Sequence, residues 1–247
     1  GRQEIAYRSK NIEGPYDSKV ILKSRFGGFN FAGQGTIVDG KHGEWYGIMF
    51  QDRDGVGRVL TIEPCSWIDG WPMLGDENGK VPEIMEKPVQ GHPIKSITNS
   101  DDFKDSKLGL HWQWNHNPVD EAWSLTERPG FLRLKTNKIV SNVYAARNTI
   151  SQRMEGPRCS ASVTLDLRHM VDGDRCGLAA FNGHSGLLTI VRDGKSYKLV
   201  QSNTLVHLTD REKAITGVDE DVVEQVDLKK CKKIQLRIDG DFTPGKD

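Results

Sequence analysis

The sequence predicts an all-β protein, and three observations carry that prediction. Short apolar runs alternate with polar residues at period two, which is the pattern of half-buried strands. Gly, Pro, Asp and Lys separate these runs at intervals of roughly 8–12 residues, as is typical of sandwiches, barrels and propellers. Convincing amphipathic helix patterns are absent. In the N-terminal part the runs are EIAYRS, SKVILKS, GTIVDG, EWYGIMFQ and GRVLTIEP.

Length and charge narrow the class of protein further. The 247 residues suffice for one large domain or two smaller ones with a buried core. Lys plus Arg and Asp plus Glu each number 34, so the formal net charge is zero. A neutral chain lacks long-range attraction for nucleic acid or an anionic membrane, and neither partner is expected. No run of about 18 apolar residues predicts a membrane-spanning helix. Both ends read as interrupted strand patterns, so we expect a piece of a longer protein.

The four cysteines, at positions 65, 159, 176 and 231, show no metal-binding spacing. No pair forms a C-x-x-C clip, and the histidine spacing indicates no zinc site. We interpret them as small buried or half-buried residues, with one disulfide left open.

The strands fall into two sets. Residues 76–97 carry three prolines and few strand formers, which is typical of an extended surface connector. We place the boundary near residue 93, so the predicted domains are 1–92 and 93–247. The acidic segment 209–226 has little strand pattern, and we expect a long loop with a short strand there. The second set comprises WSLTE, FLRLKT, ISQRM, SASVTLDL, CGLAAF, GLLTIVRDG, SYKLVQ and KKIQLRIDG.

Each set of strands suggests its own architecture. Tight turns are predicted at VRDGKS and IDGD in the second set, whose antiparallel strands predict a β-sandwich. Residues 1–92 are too few for a sandwich with so many turns. They fit two blades of a β-propeller, each a four-stranded meander, with further blades upstream to close the ring.

Three phrases carry a resemblance to a known family: AYRSKNIEGPYDSKVIL, then GQGTIVDGKHGEWYGIMFQDRDGVGRVLTIEPCSWIDGWPMLGDENG, then LGLHWQWNHNPVDEAWSLTERPGFLRLKT. Together they resemble glycoside hydrolase family 43, the five-bladed propeller β-xylosidases and α-L-arabinofuranosidases. The match is to the subgroup that carries a C-terminal lectin-like β-sandwich. The resemblance covers essentially the whole chain. It implies the last blades of a partial five-bladed propeller followed by the sandwich.

The resemblance also implies a reaction. Inverting glycosidases use one carboxylic acid to protonate the leaving oxygen and one carboxylate to activate water, while a third carboxylate tunes the acid. In the family all three lie in the first three blades. We therefore expect them upstream of this chain, assign no catalytic residue within it, and expect the chain alone to be inactive. No cofactor is required. The expected partner is a xylo- or arabino-oligosaccharide; the oligomeric state is open, and export is slightly favoured over a cytoplasmic location.

Glu13 is the tempting exception, because it precedes Gly14-Pro15 as the family's catalytic acid often does. Here the RSK phrase directly before it matches a turn between blades. We therefore interpret Glu13 as a loop residue.

Two residues of the first set are candidates for substrate contact. Arg58 matches the family's GR arginine, which the resemblance places in the central funnel against the innermost sugar. A guanidinium offers fixed, directional donors to hydroxyl groups and steadies nearby carboxylates. Gly33 or Gln34, depending on the alignment of the phrase, takes the place of a histidine that helps hold a metal ion in relatives, and the amide of Gln34 is a weaker candidate for bonding a sugar or a carboxylate. The alternatives are a surface or strand-pairing arginine and a structural amide.

Three further residues are candidates for the edge of the substrate site. Gln51 and Asp52 precede the Arg58 strand and are predicted on the rim of the funnel. Tyr144 lies in residues 136–148, which match a sandwich loop that reaches the active-site mouth in some relatives. Tyr144, or its neighbour Val143, is predicted to border an outer subsite. The alternatives are solvated loop residues and an interface hairpin.

Asp101 and Asp102 begin the sandwich and are candidate ligands for a structural Ca²⁺ ion, which prefers carboxylate and backbone oxygens. Two rival functions remain open at this stage. The sandwich could be a carbohydrate-binding module, or a purely structural domain that braces the propeller. Affinity electrophoresis in xylan separates them, because a bracing domain predicts no retardation.

Overall fold

Sixteen β-strands and three 3-10 helices form the regular structure of the residues that the computed structural model describes, 2–211 and 213–245. No α-helix occurs in these ranges, and the all-β prediction is confirmed. Within the same ranges, no helix is long and apolar enough to cross a membrane. The 3-10 helices span Asp54–Val56, Asp120–Ala122 and Val143–Ala145.

The strands belong to two compact units. The first runs to Lys95 and also includes the segment that begins at Phe242, while the second is Ser96–Asp241. The predicted boundary lay near residue 93, and the sequence analysis assigned the C-terminal segment to the sandwich. Packing explains its return to the first unit: a Cβ at Gly55 would lie 2.6 Å from Cε1 of Phe242. The Phe242 ring therefore occupies the space that this glycine leaves.

The first unit contains one antiparallel meander and one hairpin. The sequence predicted two four-stranded meanders, whereas the second sheet has only two strands. The hairpin pairs β1 with β2, and the meander runs in the order β3-β4-β5-β6. The strands are β1 (Glu4–Arg8), β2 (Asp17–Leu22), β3 (Gly33–Asp39), β4 (Trp45–Asp52), β5 (Arg58–Ile68) and β6 (Trp71–Leu74).

One apolar core joins the hairpin to the meander. Strand β4 shows the period-two pattern that predicted it: Gly47, Met49 and Gln51 are buried, and the residues between them are half-buried. Met49 is 2% exposed and packs with Ile21, Leu22 and Leu74, among others. Burying such side chains stabilises the unit by roughly 1.5–3 kcal/mol each.

The second unit is a two-layer sandwich. One sheet has the order β12-β13-β14-β15, and the other pairs β11 with β16. Shorter ladders pair β7 with β10 and β8 with β9. The strands are β7 (Gln113–Trp114), β8 (Trp123–Ser124), β9 (Arg133–Leu134), β10 (Ile150–Ser151), β11 (Arg158–Asp166), β12 (Arg175–Ala180), β13 (His184–Asp193), β14 (Ser196–Leu208), β15 (Ile215–Leu228) and β16 (Lys233–Asp241).

Apolar residues from both sheets form the core of the sandwich. Leu167, Ile190, Tyr197 and Leu236 are buried at its centre. The Tyr197 hydroxyl donates a 2.9 Å hydrogen bond to the backbone carbonyl of Leu167. This contact satisfies the polar end of an otherwise apolar side chain inside the core.

Two local predictions for the second unit are wrong. Most of the segment 209–226, expected to be a long loop with a short strand, belongs to the 14-residue strand β15. The strand is exposed along most of its length, so its carboxylates need not alternate with buried apolar residues, and pairing with β14 supplies its hydrogen bonds. The turn predicted at IDGD is also absent, because Gly240 pairs with Cys159 inside the β11–β16 ladder. The turn at VRDGKS is confirmed between β13 and β14.

Candidate functional site

The candidate site lies at one end of the meander, where β4 ends and β5 begins. Asp52 and Arg58 are direct cross-strand partners, joined through a tight connection. Nε of Arg58 is 3.4 Å from Oδ1 of Asp52. On the other side, Nη2 of Arg2 is 2.7 Å from Oδ2 of Asp52. One carboxylate is therefore held between two guanidinium groups.

An aromatic ring supports both arginines. The guanidinium carbon of Arg58 lies 4.5 Å from the centroid of the Phe50 ring, and that of Arg2 lies 5.0 Å from it. Cation–π contacts of this kind orient a guanidinium against the ring face. We call Arg2, Phe50, Asp52 and Arg58 the arginine cluster. The Arg58 side chain is 66% exposed, so it can donate hydrogen bonds to a ligand in solution.

Gln34 lies beside the arginine cluster through its backbone. Its N–H donates a 2.6 Å hydrogen bond to Oε2 of Glu4. Gln34 adopts a φ of 59°, in the left-handed region that non-glycine residues seldom occupy. A Cβ at the neighbouring Gly33 would lie 3.2 Å from Cγ of Arg2, so that glycine admits the arginine closely. The structure thus brings Gln34, Asp52 and Arg58 to the same end of the sheet.

Gln51 does not belong to this surface, and its predicted contact with substrate is corrected. The side chain has no exposed area. Its amide nitrogen donates to the backbone carbonyls of Phe26 and Asn30, and its amide oxygen accepts from Nε of Arg53. The side chain fastens the loop between β2 and β3 to the meander. Strand alternation is the reason, because neighbouring residues of β4 point to opposite faces of the sheet.

Tyr144 lies in the 3-10 helix Val143–Ala145 of the second unit and is half-buried. Its backbone carbonyl accepts hydrogen bonds from Nδ2 of Asn115 and is 2.9 Å from Nε2 of His116. Its ring centroid lies 6.1 Å from that of Phe181. The backbone of this loop is therefore held in place, and the contact of Tyr144 with an outer subsite stays a prediction.

Asp101 and Asp102 are both engaged within the protein. Asp101 accepts hydrogen bonds from the backbone N–H of Phe103 and from Nε1 of Trp112, at 2.7 and 2.8 Å. Asp102 pairs with Lys104, whose ammonium group holds the pKa of that carboxyl below its usual range. In residues 2–211 and 213–245, no three His, Cys, Asp or Glu side chains form a group that could hold a metal ion. The structural Ca²⁺ ion at Asp101 and Asp102 stays a prediction.

Glu13 lies in the turn between β1 and β2 and is exposed, as expected for a loop residue. The hydroxyl of Tyr16 closes this turn by donating a 2.7 Å hydrogen bond to the backbone carbonyl of Ile12.

Sequence reasoning missed Arg2 and Phe50. Arg2 is distant from Arg58 in the chain, and no motif surrounds it. Phe50 has the apolar character of an ordinary strand residue. Arg2 reaches Asp52 from the segment before β1, where it passes Gly33 at the start of β3, and Phe50 shares one face of β4 with Asp52. An aromatic residue two positions before a predicted site carboxylate was the one available signal, because such residues share a face of a strand.

The fold defines a class of all-β protein with two units, one a propeller-type meander and the other a lectin-like sandwich. The chain matches the family described as the β-xylosidase C-terminal concanavalin A-like domain over residues 100–245. The chain belongs to this family, the C-terminal sandwich of glycoside hydrolase family 43, and the resemblance found in the sequence is confirmed.

Individual relatives agree with the family. A β-xylosidase of Formosa agariphila is 34% identical over 224 residues, which are 78% of this chain and 38% of that protein. A non-reducing end α-L-arabinofuranosidase of Bacteroides ovatus is 28% identical over 235 residues, 87% of this chain and 44% of the relative. The solved structure of a bifunctional GH43-CE protein of Bacteroides eggerthii has a TM-score of 0.80 and 36% identity, covering 96% of this chain and 29% of that one. The chain thus spans less than half of each of these relatives.

Proposed function

We propose that this chain is the C-terminal part of an inverting glycoside hydrolase that removes xylose or arabinofuranose from glycans. The observation that carries the proposal is the family match over residues 100–245, together with relatives named β-xylosidase and α-L-arabinofuranosidase. The catalytic acid, the base and the carboxylate that tunes the acid lie upstream. The chain alone is inactive.

Within this proposal the arginine cluster supplies the contact with the innermost sugar. Arg58 donates to sugar hydroxyls, and its exposed side chain leaves those donors available. Asp52 and Phe50 restrict the guanidinium before the sugar arrives, so less side-chain entropy is lost on binding. Asp52 thus acts on the substrate indirectly, by restricting the Arg58 guanidinium. Gln34 lies next to the arginine cluster, and its exposed amide adds a further contact with the sugar.

The test uses the protein purified from its natural source, assayed on aryl β-xyloside and aryl α-L-arabinofuranoside. We expect hydrolysis of at least one substrate with inversion at the anomeric carbon. NMR of the released sugar monitors its anomeric configuration. The isolated 247-residue chain should hydrolyse neither. Hydrolysis by the chain alone at enzyme-like rates would refute the upstream assignment. Failure of the natural protein on both glycosides would refute the proposed activity.

Replacement of the arginine tests its role in the site. Arg58→Ala should lower kcat/KM by on the order of 10² or more, the usual cost of one lost site donor. The matched control is Arg25→Ala, because Arg25 is also exposed and lies over an aromatic ring, 4.8 Å from the centroid of Phe31. The control should keep its kcat/KM. Equal losses in both variants would remove Arg58 from the site.

A further inference from the structure

The net charge of the chain is zero, but charged residues are unevenly distributed in the second unit. Strand β15 carries five carboxylates and no basic side chain within Ile215–Leu228. The connection that follows it contains four lysines in five residues, KKCKK at 229–233. An acidic strand therefore runs directly into a basic turn.

Two arginines and a phenylalanine extend the basic turn into a larger surface. Nζ of Lys233 lies 5.2 Å from the centroid of the Phe131 ring, and the guanidinium carbon of Arg128 lies 3.6 Å from it. Lys233 pairs with Asp166 across the β11–β16 ladder, and Asp166 binds both Arg128 and Arg168. The basic patch consists of Arg128, Arg168, Lys229, Lys230, Lys232 and Lys233.

Most cations of the basic patch form no ion pair with another described residue. Within residues 2–211 and 213–245, the ion pairs of the patch join Arg128 and Arg168 to Asp166, whose side chain is only 6% exposed. That carboxylate holds the two guanidinium groups in place, with Arg128 Nη1 at 2.5 Å and Arg168 Nε at 2.9 Å. The four lysines are exposed to solvent. The surface therefore keeps a local positive potential that attracts anions within about a Debye length, roughly 8–10 Å at ordinary salt.

We propose that the basic patch binds the carboxylate groups of a uronic-acid-substituted xylan-type glycan. This inference rests on the proposed function, which supplies the glycan class, and adds the charge of the side groups. Nη1 of Arg128 and both Nε and Nη2 of Arg168 already donate to Asp166, so the four exposed lysines supply the point charges for a sugar acid, and the two guanidinium groups add to the positive potential around them. The patch would then hold the polymer while the catalytic site removes its terminal or branching sugars.

The acidic strand favours a sparsely charged partner over a nucleic acid or an anionic membrane. Duplex DNA carries one charge per roughly 1.7 Å of its axis, and a long contact would set those charges against the carboxylates of β15. An acidic xylan carries isolated carboxylates on an otherwise neutral backbone. A single uronate can sit on the basic turn while the neighbouring neutral sugars pass the acidic strand without repulsion.

The test is binding of the 247-residue chain to soluble glucuronoxylan in affinity electrophoresis, against the same polymer with its carboxyl groups chemically reduced. We expect retardation by the first polymer, loss of most of it with the reduced polymer, and weakening as salt rises. The variant Lys229→Gln/Lys230→Gln/Lys232→Gln should bind on the order of tenfold more weakly. A control triple variant changes the same net charge at exposed lysines of the first unit, Lys41→Gln, Lys87→Gln and Lys95→Gln.

Three outcomes would overturn the inference: equal retardation by the reduced polymer, unchanged binding in the patch variant, or equal weakening in the control variant. Tighter binding to a single-stranded oligonucleotide or to phosphatidylglycerol vesicles would assign the patch to another partner and overturn it as well. No hydrolysis is measured here, so the result is independent of the assays on aryl glycosides. If the natural protein hydrolyses the aryl glycosides but the chain does not bind uronate, only the patch proposal is refuted. If the chain binds uronate but the natural protein hydrolyses neither glycoside, only the proposed activity is refuted.

Discussion

Replacing the buried carboxylate Asp166 with asparagine should destabilise the sandwich substantially. Asp166 accepts hydrogen bonds from Arg128 Nη1 at 2.5 Å and from Nε and Nη2 of Arg168, and its side chain is 6% exposed. An asparagine retains one acceptor oxygen and turns an amino group towards a guanidinium donor. Hydrogen bonds to charged groups contribute about 1.5–3 kcal/mol each, and the lower value applies because both arginines are partly exposed. Two such bonds give a loss of about 3 kcal/mol.

The pH dependence gives the sharper part of this prediction. Hydrogen bonds from Arg168 and Arg128 hold the pKa of Asp166 well below its usual range. The ionised carboxylate therefore stabilises the fold at every pH above the unfolded-state pKa, about 3.9, and this contribution is lost as the pH falls towards the depressed folded-state value. The gap in free energy of unfolding between wild type and Asp166→Asn should be full at pH 7 and shrink below about pH 4.

Scanning calorimetry measures the effect, and a second carboxylate provides the control. A loss of about 3 kcal/mol should lower the melting temperature by roughly 6–12 °C for a protein of this size. Asp193→Asn breaks an exposed pair with Lys198, in which Asp193 is 56% exposed, and should lower it far less. Equal effects of the two substitutions, or a gap that persists unchanged below pH 4, would refute the account of Asp166 as a buried, doubly paired anion.

Three further substitutions test the packing of both units. Gly177→Ala should destabilise the sandwich by about 1–3 kcal/mol or more, because the new Cβ would lie 2.0 Å from the backbone oxygen of Leu188; Gly183→Ala meets nothing within 4 Å and should be tolerated in the same urea titration. Leu236→Ala removes a side chain only 4% exposed and should cost about 2–5 kcal/mol in that titration. Burial raises the pKa of Glu63, so the free energy of unfolding of the wild type should fall as the pH rises above the unfolded-state carboxyl pKa. Glu63→Gln should abolish that fall, and unfolding curves recorded from pH 4 to 8 measure it.

Two results would contradict the predictions for Gly177 and Glu63. A Gly177→Ala protein as stable as Gly183→Ala would mean that the approach of β13 is not tight. Identical pH profiles for wild type and Glu63→Gln would mean that Glu63 reaches solvent or a partner. Among the residues that the structure describes, Oε2 of Glu63 is buried without a hydrogen-bond partner, and the hydroxyl of Thr61 donates to its other oxygen.

Strand β15 shows why part of the fold was beyond sequence reasoning. Period-two alternation reveals a strand only when one of its faces is buried and the other is solvated. Residues of β15 are exposed on nearly every position, so no alternation marks them, and the ladder with β14 decides their conformation. The same reason applies at IDGD, where a glycine and two aspartates indicate a turn locally but continue the ladder opposite β11.

Residues of the candidate site could be predicted from the sequence where a motif marks them. Residues that join the site only through contacts in the folded protein could not be predicted. The GR phrase identified Arg58, and its strand partner Asp52 was found by proximity in sequence. Gln51 shares the same phrase but points to the opposite face of β4, so adjacency in the chain misled the prediction. Arg2 carried no local signal because its partner lies 50 positions further along the chain, at Asp52.

The sequence by itself determined the all-β class, the presence of two sets of strands and the family, because alternation, turn residues and ordered phrases are local properties of the chain. Tertiary structure alone decided which charges meet. Composition sums Lys, Arg, Asp and Glu to zero, yet the fold brings Arg128 to Asp166, which lies 38 positions further along the chain, and the pairing of β11 with β16 sets Lys233 opposite the same carboxylate. Electrostatic energy depends on distance and burial, neither of which a sum over residues contains.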